Sequence, residues 1–278
     1  MSALLGTDTL SHDAASIRVR AEGELSLFSI SVVNAAALNA DDLRTAVTGA
    51  YSAIADELGH ASLHPIRFWN FLPGPGAPMG GGLDRYMVFN AGRFDAYAQW
   101  YGTPREFSHS LATASAVGVA TDDYVLYCLA TTAPGDPVEN PRQTPAWKYS
   151  RRYGPKPPCF ARATIARIAG RSRLLIGGTA SILGEDSIHL GDVGAQVDET
   201  LRNISTLIAA ARGDAGESMT SSFARLTDVR IYIRDAAHGA TILTAVERAC
   251  LEGVSIEAVV ADVCRPELLV EIEAVADL

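Results

Sequence analysis

The chain has 278 residues, 48% hydrophobic and 20% charged, enough to bury two cores of ordinary domain size. Its formal net charge of -9 argues against a nucleic-acid binder, because 23 Lys and Arg form no dense run that could track phosphates. Cys128, Cys159, Cys250 and Cys264 lie far apart with no C-x-x-C pair and no His at ligand spacing, which argues against a metal site and fits a reducing cytoplasm.

Residues 1–16, rich in Ser, Thr, Asp and Ala, read as a mobile lead-in without the basic-then-apolar order of a secretory leader, and no apolar run is long enough to cross a bilayer. Residues 17–20 and 24–33 predict a hairpin around Gly23. Asn39 caps a helix over 40–58, where Leu43, Val47, Tyr51, Ile54 and Leu58 recur at helical spacing. A strand over 65–72 follows, then a glycine-rich loop over 74–82 that lacks the Gly-Lys-Ser/Thr ending of a phosphate cradle. The helix over 83–100 carries Tyr86, Phe89, Phe94 and Tyr97, and strands over 111–120 and 124–131 close a first domain spanning 17–133. A proline-rich connector over 134–157 reads as an extended linker.

The same order then returns in a C-terminal domain over 158–278: a hairpin over 160–169 and 174–179, a helix over 192–212, a strand over 225–234, a helix over 236–252, and strands over 255–263 and 268–275. Both halves read β-β-α-β-α-β-β, which suits duplication of one α+β module. His189 and His238 fall at turns and read as solvated, and Ser181 and Ser187 have no His and Asp in triad order.

Alternation along the last strand puts Leu268, Val270, Ile272 and Ala274 on one face and Leu269, Glu271, Glu273 and Val275 on the other. If a second layer covers the carboxylate face, desolvation and mutual repulsion raise the pKa of at least one glutamate and make it a general acid. If nothing covers it, the pair is the wet side of a half-exposed strand.

Three stretches make the second half similar to a Rid (YjgF-like) domain: Gly177-Gly178-Thr179, the run 191–204 beginning Gly191-Asp192-Val193-Gly194, and Val270-Glu271-Ile272-Glu273-Ala274. That resemblance implies a mixed sheet packed against two helices, threefold assembly and ligand clefts between neighbouring modules. Imine-hydrolysing members carry a carboxylate-binding arginine near the place of Ala258, so deaminase activity is disfavoured.

A narrower resemblance covers nearly the whole chain. Arg67-Phe68-Trp69-Asn70, Gly82-Leu83-Asp84-Arg85-Tyr86, Asn90-Ala91-Gly92-Arg93, Glu139-Asn140-Pro141-Arg142-Gln143, Pro157-Pro158-Cys159-Phe160-Ala161-Arg162-Ala163 and Gly178-Thr179-Ala180-Ser181-Ile182-Leu183-Gly184 resemble the chorismatases, bacterial enzymes that release pyruvate from chorismate to supply benzoate-type precursors. The fold implied is a tandem of Rid/YjgF-like modules in pseudo-threefold arrangement, with the site in a cleft facing the last module. The resemblance assigns Glu271 as the acid that protonates the enol ether methylene; its neighbour Glu273 either helps to keep it protonated, as paired carboxylates do when close and poorly solvated, or serves as a structural partner.

Arg85 and Arg93 stand eight residues apart on the second helix, about two turns along its axis and roughly 80° around it. Each either forks a substrate carboxylate or forms a surface ion pair, for instance with Asp84 or Asp95. Arg162 and Tyr149 are further candidates for substrate binding. Gly177 and Cys264 occupy places that differ between product types, and a glycine with a cysteine is similar to the 3-hydroxybenzoate type; Cys264 alone also reads as a small buried hydrophobe. The implied enzyme is a chorismatase giving 3-hydroxybenzoate, with no cofactor and no metal, whose partner is chorismate rather than nucleic acid or membrane, as a monomer or small homo-oligomer in the cytoplasm. A hydrolytic chorismatase giving a dihydrodiol and a non-catalytic Rid-like carboxylate binder remain open beside it.

Overall fold

A computed structural model describes residues 8–12, 15–103 and 109–278. The first module runs β1 (Asp8–His12), β2 (Ala15–Glu22), β3 (Leu25–Val32), α1 (Ala40–Ala61), β4 (His64–Pro73), a small hairpin β5 (Pro78–Gly80) and β6 (Leu83–Asp84), α2 (Arg85–Tyr101), β7 (Thr113–Val119) and β8 (Tyr124–Thr131). The second runs β9 (Asp136–Val138), β10 (Ala163–Ile168), β11 (Arg171–Thr179), the hairpin β12 (Ile182–Leu183) and β13 (Asp186–Ser187), α3 (Val193–Arg212), α4 (Met219–Phe223), β14 (Leu226–Ile233), α5 (Gly239–Ala249), β15 (Ser255–Val260) and β16 (Val270–Asp277). The sheets are ordered β1-β2-β3-β8-β4-β7 and β9-β10-β11-β16-β14-β15, so their strand orders correspond position for position. In each, the pair that flanks the second long helix, β4 with β7 and β14 with β15, is parallel.

Local chemistry explains where the helices begin. The side chains of Asn39, Asp84 and Asp192 accept from the backbone N–H of Asp42, Met87 and Ala195, each satisfying an orphan donor in the first turn. Leu43, Val47, Tyr51, Ile54 and Leu58 of α1 are all buried against the first sheet, and each contributes about 1.5–3 kcal/mol by leaving water. Val197, Leu201, Ile204 and Ile208 do the same for α3 against Val270, Ile272, Ala274 and Ala276 of β16.

The faces turned away from the helices pack on each other. Ile66 and Leu129 of the first sheet meet Ala166, Leu175 and Val275 of the second. Val117 and Phe71 meet Tyr232, Val263 and Leu268. Polar contacts fix the register of this seam: Thr113 N–H donates to Thr164 Oγ1 (2.8 Å), Gly178 N–H to Ser115 Oγ (2.9 Å), and Gly118 N–H to Asp262 O (2.6 Å).

Two expectations change. The lead-in expected over 1–16 lies partly outside the described residues, and within it Asp8–His12 pairs antiparallel with β2 as an edge strand. The connector is braced rather than extended: β9 pairs with β10, Asn140 and Arg142 donate to Asn203 of α3, and Gln143 donates to Ile182 O.

Candidate active site

Glu271 and Glu273 stand on the face of β16 opposite the helical core, and the first module covers that face. They are 4% and 5% exposed. Burial above all, then the charge of Glu273, pushes the Glu271 carboxyl up to about 8, against the opposing pull of Arg67. Glu273 is paired with the Arg67 guanidinium at 3.0 Å and accepts from Trp69 Nε1 at 3.1 Å. The thiol of Cys264 lies 3.9 Å from Oε2 of Glu271. Burial first, then the charge of Glu271, pushes that thiol up to about 12, so it stays a neutral donor rather than a thiolate nucleophile.

Glu271 and Cys264 open into a cavity of about 290 Å³ between the modules. Ala114, Ser115 and Ala116 of β7 form one wall with Gly178 and Ala180, and Tyr86 and Met87 of α2 form another. Short helical turns over 146–148 and 151–153 bring Tyr149 and Tyr153 into the lining of the cavity. The strap is held by Ser150, whose N–H and Oγ donate to Glu185 at 2.8 and 2.7 Å, and by Arg152, which pairs with Asp186.

Three buried arginines line this cavity. Arg93 donates to Asn90 Oδ1 at 2.7 Å and lies over the rings of Phe89 and Phe160. Arg162 donates to Tyr149 Oη at 2.6 Å and Thr144 O at 3.0 Å. Arg265 donates to Glu185 O at 2.8 Å and lies 3.9 Å above the Tyr153 ring. Among the described residues none of the three forms an ion pair with a carboxylate. The cavity thus brings three guanidinium groups without an ion-pair partner near a carboxyl whose pKa burial raises, a set of forked donors able to bind carboxylate oxygens.

Glu271, Cys264, Arg93, Tyr149 and Arg162 therefore converge on one cavity. Arg85 does not. Its guanidinium donates to the backbone carbonyls of Pro73 (2.5 Å), Gly74 (3.2 Å) and Ala36 (2.9 Å), so it braces the glycine-rich loop and forks neither a ligand nor a surface acid. Gly177 does not line the cavity either; a Cβ there would stand 2.5 Å from Thr113 Oγ1 and 2.9 Å from Ala114 O, so its bareness lets the two sheets meet. The next residue, Gly178, faces the acid. Arg265, Tyr86 and Gly178 line the cavity as well, beyond the residues that the sequence singles out; Arg265 directly follows Cys264, and Tyr86 and Gly178 stand in the motif segments 82–86 and 178–184.

The family model described as "Chorismatase FkbO/Hyg5-like, N-terminal" matches residues 6–130. A chorismatase of Streptomyces rapamycinicus is 35% identical over 258 residues, covering 90% of this chain and 74% of that protein. The chain belongs to the chorismatase family. A 3-hydroxybenzoate synthase of Streptomyces hygroscopicus is 35% identical over 236 residues, 80% of this chain and 65% of that protein. A chorismatase crystal structure superposes with a TM-score of 0.83 at 23% identity, covering 97% of this chain and 79% of the other, and so shares the tandem fold. Membership makes the chain an enzyme of the chorismatase type, and no helix among the described residues is long and apolar enough to cross a membrane.

Proposed function

We propose that the chain releases pyruvate from chorismate and that its aromatic product is 3-hydroxybenzoate. The observation that carries this reading is the Glu271 carboxyl, buried and held up to about 8, facing a cavity lined by Arg93, Arg162 and Arg265. Chorismate is a dianion, and two forked guanidinium groups match its two carboxylates. Glu271 transfers its proton to the enol ether methylene, which leaves an oxocarbenium ion and a carboxylate side by side. The dry wall of Ala114, Ala116 and Ala180 keeps water from competing for the proton.

The ring hydroxyl next to the ether then bonds to the ether-bearing ring carbon as the C–O bond breaks and its electrons become the carbonyl of pyruvate. In the three-membered ring oxide so formed, the oxygen's original bond to the neighbouring ring carbon then opens toward the oxygen and leaves that carbon cationic, and loss of the ring proton from the carbon that now bears the hydroxyl aromatises the ring. One proton enters at the methylene and one leaves on aromatisation, so chorismate divides into 3-hydroxybenzoate and pyruvate without water or an oxidant. The kinship with a 3-hydroxybenzoate synthase and the thiol of Cys264 beside the acid favour this internal route over attack by water.

Incubation of the purified chain with chorismate alone, followed by separation of the aromatic products, tests the reading. Equimolar pyruvate and 3-hydroxybenzoate support it. Pyruvate with a dihydrodiol overturns the product assignment, and binding of chorismate without pyruvate release makes the chain a carboxylate binder.

A further inference from the structure

We infer that the Arg67–Glu273 ion pair, whose cation comes from the other module, is a positioning device that keeps the proton on Glu271 between turnovers. The inference rests on the reading of Glu271 as proton donor. Glu271 and Glu273 are two residues apart on one face of β16, both buried in the seam. Every close polar contact with the first module goes to Glu273. Arg67 Nη2 stands 3.0 Å from its Oε2, and Trp69 Nε1 donates to the same oxygen at 3.1 Å.

Arg67 cannot swing to Glu271 without losing other partners. It also donates to Ile176 O at 2.5 Å and Ser115 Oγ at 3.1 Å, and it lies 4.9 Å over the Trp69 ring. Glu273 is therefore the carboxylate of the two that a cation and an N–H donor hold in place. Glu271, one pleat away, has the weak thiol of Cys264 as its hydrogen-bond donor and no ion-pair partner among the described residues. Two carboxylates on one buried face repel each other when both are ionised, and the proton is better kept by the one without cationic and N–H partners.

The other groups facing the two carboxylates do not alter this assignment. Arg162 is engaged by Tyr149 and Thr144, and Arg265 by Glu185 and Ser187. Arg230, opposite Glu273 in register, pairs with Glu257 at 2.7 Å. The hydroxyls of Tyr86 and Tyr232 are pushed up by burial and stay neutral. Each turnover moves a proton from Glu271 to carbon; repulsion from Glu273 then favours its recapture as the ring aromatises.

The test is an infrared titration of the buried carboxylic C=O band in ligand-free protein. Glu271→Gln identifies the band and separates it from Glu139, whose carboxyl burial also pushes up, to about 7. Wild type is expected to lose the band near pH 8. Glu273→Gln removes the repulsion and leaves Arg67 uncompensated, so its midpoint is expected to fall by about 1 pH unit or more. A midpoint that stays or rises overturns the inference. Should Glu273→Gln not fold, Arg67→Met with Glu273→Met replaces the pair by packed apolar groups, a change that buried pairs tolerate. That double variant is expected to titrate below wild type, and a midpoint at or above wild type overturns the inference. Failure of wild type to release pyruvate overturns the proposed function instead, because the band is read without substrate.

Discussion

The carboxyl of Glu271 occupies the space that a side chain on Gly178 would need: a Cβ at Gly178 would stand 1.9 Å from its Oε1 and 2.7 Å from its Cδ. The clash is with the free end of a flexible side chain, so Gly178→Ala is expected to turn the carboxyl aside and leave the fold intact. Pyruvate release is expected to fall by about 10²-fold, the size of effect that an ~1 Å misplacement produces, with little change in thermal midpoint. Wild-type turnover would contradict the placement of the acid over Gly178.

Gly177→Ala is expected to act differently. Its Cβ would meet Thr113 Oγ1 and the backbone oxygen of Ala114 across the seam, where neither sheet can yield cheaply. Destabilisation of about 1–3 kcal/mol is expected, as for other overpacked sites, visible in denaturant midpoints. Control over the product is therefore tested at Cys264 alone: Cys264→Ala removes the thiol beside Glu271 and is expected to raise the share of dihydrodiol over 3-hydroxybenzoate in chromatograms. An unchanged ratio would remove Cys264 from the account of product choice.

The arginines separate into two behaviours. Arg93→Ala or Arg162→Ala removes a buried fork from the cavity and is expected to weaken chorismate binding by about 10- to 100-fold, the scale of a charged hydrogen bond. Arg85→Ala is expected to lower the thermal midpoint by stranding the carbonyls of Pro73, Gly74 and Ala36, with binding in the folded fraction little changed. Calorimetric titration beside thermal melts distinguishes the two.

Much of this arrangement was legible in the sequence, and the failures have physical causes. Helical spacing of Leu43, Val47, Tyr51 and Ile54 reports a buried face, and alternation along β16 reports that Glu271 and Glu273 share a side. Periodicity names a face and not its cover, so it left open whether those glutamates were wet or dry. Arg85 and Arg93 both lie in motif segments on one helix, and spacing does not say which of two diverging side chains meets a backbone turn and which a cavity. The exchange of Gly177 for Gly178 follows from an irregularity in β11: its register with β16 shifts between Ile176 and Thr179, and one slipped residue swaps the faces. Arg265 sits in the turn before β16, where no period marks orientation.

Stability should also depend on pH in a defined direction. The Glu271 carboxyl is raised from 4.5 to about 8 in the fold. Above the unfolded value the unfolded chain binds fewer protons than the folded one, so this contribution is fully present below about pH 4.5 and is lost as pH rises through about 8. Glu271→Gln carries no such loss. Its melting temperature is expected to gain on wild type as pH goes from 6 to 9 in matched buffers, and parallel curves would contradict a buried acid.

Glu271 as the proton donor is tested most directly by measuring pyruvate released from chorismate by Glu271→Gln, together with the dissociation constant of chorismate for the same variant. The expected result is a loss of turnover of at least about 10²-fold, the worth of a positioned general acid, with affinity close to wild type because Arg93, Arg162 and Arg265 remain. Turnover by Glu271→Gln at the wild-type rate would contradict the central claim.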